Sequence, residues 1–404
     1  MNILFVHQNF PGQFRHVAPY LAQQGHQVVA LGQADAGALP GVRMLRYRLA
    51  RGNAADVHPL AREFETKVLR AEACAEAATS LKSQGFTPDV IFSHPGWGEA
   101  MYLKAVFPRA RMACLMEFYY RARGQDMGFD PEFPMPGWRD EARLQAKNAN
   151  LLLAMEAMDL GIAATPWQKQ VLPEWARDKT VVLHEGIDTD EVAPDPSAEV
   201  FLPNRNVRVR PGDEVLTYVA RNLEPVRGYH VFMRALPRIL RLRPQARVFI
   251  VGGDGVSYGA APQGKTYRQQ YLEEVGHQLD PARVHFMGKV PRNVFLRLMQ
   301  VTRCHAYLTY PFVLSWSMLE AMSAGAVVVG SDTAPVRDVI RHGENGLLAD
   351  FYDAEGLADA VADVLGRPQR YAQLGRAARQ TVVEGYDLNR VCLPGYESLL
   401  HQLV

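Results

Sequence analysis

Apolar runs of four to six residues alternate with longer stretches whose hydrophobic positions recur at helical spacing, and this alternation repeats twice along the chain. In the first half Asn2–Val6, Gln27–Leu31, Asp89–Phe92, Arg111–Leu115, Leu160–Ala164 and Thr180–Leu183 read as strands. Between them Phe14–Gln24, Phe64–Ser83, Glu99–Phe107 and Glu141–Met158 carry the period of amphipathic helices. Strands without polar alternation, each followed by a helix, imply a parallel sheet covered on both faces. The pattern then breaks over Asp188–Asp213, where Pro194, Pro196, Pro203 and Pro211 sit among scattered charges, and this segment is expected to be a linker. Beyond it Glu214–Val219, Arg247–Val251, Val284–Phe286, Ala306–Tyr310 and Ala326–Val329 read as strands. Helices are expected at Gly228–Leu242, Tyr267–Leu279, Val294–Val301, Trp316–Ala324, Ala354–Leu365 and Gln369–Glu384, with a terminal helix over Asn389–Leu403.

The expected organisation is therefore α/β, with two Rossmann-like domains. An amino-terminal domain spans 1–190, a linker 191–213 and a carboxy-terminal domain 214–386. Residues 387–404 are expected to form a helix that returns to the amino-terminal domain. A length of 404 residues exceeds one ordinary core and fits two. Tandem units of this kind imply a cleft, with ligands beyond the carboxyl ends of the strands.

Composition narrows the function. A net charge of +1 gives no bulk attraction to nucleic acid. The four cysteines, Cys74, Cys114, Cys304 and Cys392, are too widely spaced for a CxxC metal pair or a disulfide framework. No His, Asp or Glu cluster has metal-ligand spacing. The opening MNILFVHQNF lacks the basic region and cleavage site of a signal peptide, and no run of 18 apolar residues is present, so a cytoplasmic location is expected.

Candidate chemistry gathers where strands end. Tyr310–Gly330 runs from a turn into a helix and then a strand; Ser315 and Ser317 suit a helix start, and Glu320 is expected at or near the first turn. The free amides and positive dipole end there favour an anion. A phosphate-binding helix start beside a carboxylate suits a nucleotide carrying a diphosphate and a ribose. Arg221 and Arg227, six positions apart across a turn, can converge on one anion, because guanidinium groups stay charged and fork onto phosphate oxygens. Taken alone they are equally well two solvated arginines. Gly12 in His7–Gln13 and Gly253 in Val251–Gly255 allow close backbone approach, although the first is also an ordinary strand-to-helix turn. In the first half His94 and Glu117 follow strands among Trp97, Phe118, Tyr119 and Tyr120, as a stackable polar acceptor requires. His94 by itself reads more often as structural, and Glu117 is the better candidate for acceptor binding or proton handling.

These motifs together resemble the retaining glycosyltransferases of family 4, which have the GT-B fold of two Rossmann-like domains with parallel sheets facing across a cleft. The resemblance runs from the first strand to about Tyr386 and is carried by Arg221, Arg227-Gly228, Gly252-Gly253 and the run LEAMSAGAVVV within Phe312–Gly330. It implies that Arg221 and Arg227 grip the donor diphosphate, with Arg227 in place of the family's lysine. It implies that Glu320 holds the ribose hydroxyls and that backbone around Ser315, Trp316, Ser317, Met318 and Leu319 meets sugar and phosphates. Val290 is implied at the base and Gly12 near the phosphates. Two departures stand out. Phe312 occupies the position of the family's first glutamate, which leaves the donor hexose open and admits a modified or deoxy sugar. Glu117 falls where the family has a histidine.

The implied reaction is metal-independent and retaining, from a UDP or GDP sugar to an acceptor hydroxyl, with no separate cofactor. Sugar, lipid-linked and small-molecule acceptors all fit, in glycan, cell-surface polysaccharide or glycolipid biosynthesis. A lipid-linked acceptor would require peripheral association with the inner membrane face. An epimerase or other GT-B enzyme would use much of the same donor site, and a non-catalytic nucleotide-sugar-binding protein is the reading that Phe312 favours.

Overall fold

The computed structural model describes residues 1–404 except Pro136. Two compact units emerge. The first comprises Met1–Gly186 and Leu388–Val404, and the second Ile187–Asp387.

In the first unit seven strands form one parallel sheet in the order β3-β2-β1-β4-β5-β6-β7. They are β1 Asn2–Val6, β2 Gln27–Gln33, β3 Val42–Tyr47, β4 Val90–Ser93, β5 Arg111–Leu115, β6 Leu160–Ala163 and β7 Thr180–Val182. Central strands such as β1 and β4 are buried on both faces, which is why they appear as uninterrupted apolar runs. β3 is an edge strand whose Arg43 and Arg46 interrupt the apolar run, so the hydrophobic pattern alone does not disclose it. The stretch expected as one helix over Glu141–Met158 is two, Trp138–Lys147 and Ala149–Ala157. At the carboxy terminus the helix Leu393–Leu403 buries Leu393, Tyr396, Leu399 and Leu400 in the same core as Ile3, Phe5 and Phe92. Tyr20 donates a hydrogen bond of 2.7 Å to Glu397, tying that helix to the first one of the chain.

The second unit opens not with a free linker but with an antiparallel hairpin, β8 Val200–Leu202 and β9 Val207–Val209. Val192, Val200, Val207 and Val209 are buried in the core of this unit, so the segment is part of it. The prolines mask three-residue strands too short to register as a period. A six-stranded parallel sheet follows in the order β12-β11-β10-β13-β14-β15. Its strands are β10 Val215–Asn222, β11 Arg247–Gly253, β12 Val284–Gly288, β13 Cys304–Tyr307, β14 Val327–Ser331 and β15 Leu347–Ala349. β15 is a three-residue edge strand with no sequence signal of its own.

Strand order fixes where each unit can bind. In both sheets the connection reverses direction once, beside β1 and β4 in the first unit and beside β10 and β13 in the second. The loops leaving those paired strands diverge and open a crevice at their carboxyl ends.

Candidate active site

At the β10/β13 crevice the two arginines have different surroundings. Arg221 closes β10 with an exposed side chain. Arg227 lies in the single turn Pro225–Arg227 and is buried. Its Nη1 donates to Val313 O at 2.7 Å, Thr309 Oγ1 at 3.0 Å and Tyr307 Oη at 3.4 Å, so one guanidinium joins the end of β10 to the loop after β13. Those acceptors are uncharged. Burial works against the charge, but nearby Tyr307, Tyr258, Tyr218 and Glu224 outweigh it and raise the pKa further. Phe312 and Tyr258 set their rings 5.4 and 5.7 Å from the guanidinium carbon and 4.6 Å from each other.

Ser315 caps the helix Trp316–Ser323 as expected, accepting from Ser317 N at 3.3 Å. Tyr307 Oη accepts from Ser315 N at 2.7 Å, which fixes that start against β13. Glu320 stands immediately after the first turn of this helix, and its buried carboxylate pairs with Arg292, whose other terminal nitrogen reaches Glu191 at 2.7 Å. Trp316, Met318 and Leu319 belong to the same helix, with Met318 and Leu319 in the core. Val290 is half-buried against that core. A Cβ at Gly253 would lie 2.7 Å from Asn222 Oδ1 and 2.9 Å from the Lys289 side chain, so both side chains would have to shift to admit one.

Glu224 carries no sequence signal that marks it as a site residue. It is fully buried and accepts the Tyr258 amide at 2.9 Å and the Ser257 amide at 3.1 Å. It thereby anchors the glycine-rich loop after β11 to the arginine turn. Burial raises its pKa despite those bonds and Arg227.

In the first unit the β1/β4 crevice holds a continuous polar chain. His7 Nδ1 accepts the Asn9 amide at 3.0 Å, so the neutral ring carries its proton on Nε2 and donates to Gln13 Oε1 at 2.8 Å. Gln13 Nε2 donates in turn to Glu117 Oε1 at 2.8 Å. His94 Nδ1 likewise accepts from the Gly96 amide, at 3.2 Å, which aims its Nε2 at Glu117 Oε2, 3.5 Å away. Trp97 covers both imidazoles at ring distances of 4.4 and 4.9 Å. Burial, then the nearness of His94, drives the His7 pKa down to about 3. At half-buried Glu117 burial opposes ionisation, but His94, Gln13 and His7 prevail and hold the carboxyl below its usual range. Gly12, with φ +47°, would drive a Cβ to 2.3 Å from His7 Nε2, so both conformation and space demand glycine.

The structure therefore joins His94, Glu117 and Gly12 in one place, and Arg227, Ser315 and Ser317 in another. Gln13 and His7 went unassigned from sequence, because their partner Glu117 lies 104 residues from Gln13. Among the described residues no group of three or more His, Cys, Asp or Glu is placed to share a metal ion, and no helix is long and apolar enough to cross a membrane.

Comparison with known proteins locates this architecture. Residues 24–192 match the profile of the glycosyl transferase family 4 group, and residues 202–381 that of glycosyl transferases group 1. A GDP-mannose-dependent alpha-(1-6)-phosphatidylinositol monomannoside mannosyltransferase of Mycobacterium tuberculosis is 26% identical over 294 residues, covering 71% of this chain and 70% of that protein. A D-inositol 3-phosphate glycosyltransferase of Rhodococcus jostii is 29% identical, covering 49% of this chain and 45% of its own. Among solved structures, sucrose-phosphate synthase of Thermosynechococcus elongatus superposes with a TM-score of 0.74 at 18% identity, over 100% of this chain and 99% of that one. The Anabaena protein HepE, solved with UDP-glucose, gives 0.67 at 17%, over 99% and 100%. The shared fold is that of two Rossmann-like units.

Proposed function

The chain belongs to the group 1 glycosyltransferases, its amino-terminal part matching the family 4 group, and from that premise we propose a retaining, metal-independent transfer from a nucleotide-diphosphate sugar to an acceptor hydroxyl. The donor is a UDP or GDP sugar, and the product a glycan, polysaccharide or glycolipid. The second unit takes the donor and the first the acceptor.

One observation carries this reading. Arg227 is a buried cation bonded to three neutral oxygens at a strand-order reversal, beside a serine-capped helix start. Its nearest acidic influence, Glu224, is already occupied by two backbone amides. A buried charge without a close counter-charge is costly, and a diphosphate supplies that counter-charge. As the bond from the sugar anomeric carbon to the diphosphate oxygen breaks, negative charge grows on the leaving group. Arg221, Arg227 and the amides near Ser317 stabilise it by fixed electrostatics. The acceptor oxygen bonds to the same face of that carbon and passes its proton to a leaving phosphate oxygen. Glu117, kept ionised, accepts a hydrogen bond from the acceptor rather than giving up a proton.

The test is incubation with UDP and GDP sugars and a panel of glycoside acceptors, reading nucleotide release and the anomeric configuration of the product by NMR. Retention at the transferred sugar is expected. An inverted product, or an epimerised nucleotide sugar formed without acceptor, overturns the proposal.

A further inference from the structure

Three cations of the first unit meet beside the acceptor loops without serving the network just described. Lys67 and Arg70 stand on the helix Arg62–Ser83, and Lys147 ends the helix Trp138–Lys147. Lys67 Nζ donates to Gly96 O at 3.0 Å, within the loop that leaves β4. Lys147 Nζ lies 4.0 Å from the ring centre of Tyr120, in the loop that leaves β5. The first helix is pressed onto the β4 loop closely: Gly98, at φ +111°, would place a Cβ 2.4 Å from Lys67 O. Asn150 fastens the same loop by donating to Pro95 O at 2.6 Å. The cations are thus held at the carboxyl ends of β4 and β5, where an open α/β sheet receives ligands.

Their partners are not carboxylates. Lys67 has a carbonyl, Lys147 has a ring, and the buried Nε of Arg70 has no hydrogen-bond partner. The acids that act on them do so without a hydrogen bond: Glu63 and Glu99 on Lys67, Glu99 on Arg70, and Glu63 and Asp126 on Lys147. Glu99 is already engaged by the Tyr47 hydroxyl at 2.5 Å. Burial, reinforced by the charges of Arg70 and Lys147, brings the Lys67 pKa down to about 8. Burial lowers that of Lys147 as well, with Arg143 adding to it. Cations kept together against desolvation and mutual repulsion are in the state that a bound anion would relieve.

We propose that Lys67, Arg70 and Lys147 form an anion subsite that takes a phosphate group carried by the acceptor. The inference rests on the reading that the first unit binds the acceptor, and it deepens that reading to a phosphorylated acceptor class. Phosphate fits better than a lone carboxylate because a dianion with several acceptor oxygens can engage three separate donors.

The experiment is competitive acetylation of the full chain at pH 8, followed by mass spectrometry of each lysine, with and without inorganic phosphate at matched ionic strength. Anion binding favours the ammonium form; at pH 8 a rise of one pKa unit from about 8 makes Lys67 about fivefold less reactive. Protection of Lys67 and Lys147 is expected while exposed Lys265 is unaffected. The Lys147→Gln chain should lose most of the protection at Lys67. Equal rates with and without phosphate overturn the subsite, as does protection that survives Lys147→Gln. Parallel arms with glycerol 3-phosphate and with phosphatidylglycerol vesicles distinguish a soluble phosphorylated acceptor from a lipid headgroup. The readout requires no sugar transfer, so its failure and the failure of the proposed reaction are separable.

Discussion

Replacing Arg227 by methionine separates a structural arginine from one that serves the leaving group. Methionine matches the length of the stem but removes every donor. Val313 O, Thr309 Oγ1 and Tyr307 Oη lose the Nη1 hydrogen bonds. A hydrogen bond from a charged donor contributes about 1.5–3 kcal/mol. Relief of burying the guanidinium offsets much of that sum, leaving a net loss of about 1–3 kcal/mol. For a unit of this size each kcal/mol moves Tm by about 2–4 °C, so a fall of roughly 2–12 °C is expected. Transfer should suffer far more, by about 10²–10³ in kcat, because stabilisation of the developing diphosphate charge is lost. Arg227→Lys restores the charge without the fork and should recover part of that rate. The assay pairs nucleotide release at saturating donor with thermal unfolding of the same samples. Transfer within threefold of the parent, together with a lowered Tm, would refute the reasoning and leave Arg227 a strut between β10 and the β13 loop.

Two further predictions concern the first unit and the buried imidazoles. Gly12→Ala meets the His7 ring and adopts a strained φ, and should cost about 1–3 kcal/mol; in His7→Ala the steric part vanishes, so a double-mutant cycle in urea should show coupling of about 1 kcal/mol, and strict additivity would contradict the packing described. His7 and His305 are held near a pKa of about 3 by burial, with the nearness of His94 adding to the effect at His7, whereas the unfolded chain protonates near 6.5. Below pH 6.5 the unfolded state therefore binds more protons, and stability present above 6.5 drains away as pH falls toward 3, at up to about 1.4 kcal/mol per pH unit for each site. Urea midpoints measured from pH 7.5 to 5 should fall accordingly and fall less steeply in His305→Gln; a flat profile would contradict it.

Much of the fold is legible from sequence because parallel strands buried on both faces appear as apolar runs, as β1, β4 and β14 do. β3 and β15 escape because edge strands carry charge or shrink to three residues. The β10/β13 site is legible for a similar local reason: Arg221, Arg227, Ser315 and Glu320 lie in two short segments at strand ends. The pairing of Glu320 with Arg292 is not, since Arg292 comes from another helix 28 positions away. Glu224 looks like any charged loop residue until its amide partners appear from the β11 loop. His7, Gln13 and Glu117 form one chain only when β1 and β5 are placed in a common sheet. The Lys67 cluster depends in the same way on the meeting of two helices and two loops. Motifs confined to one turn can be read from a sequence, whereas networks between elements require the topology.

A crystal structure with UDP or GDP bound tests directly whether the second unit holds a nucleoside diphosphate at the β10/β13 crevice. Diphosphate oxygens are expected within hydrogen-bond reach of Arg221 and Arg227 and of the amides opening the helix Trp316–Ser323, with the ribose on Glu320 and Arg292 displaced from it. A nucleotide seated instead on His7, His94 and Glu117, with Arg227 still bonded only to neutral oxygens, would contradict it.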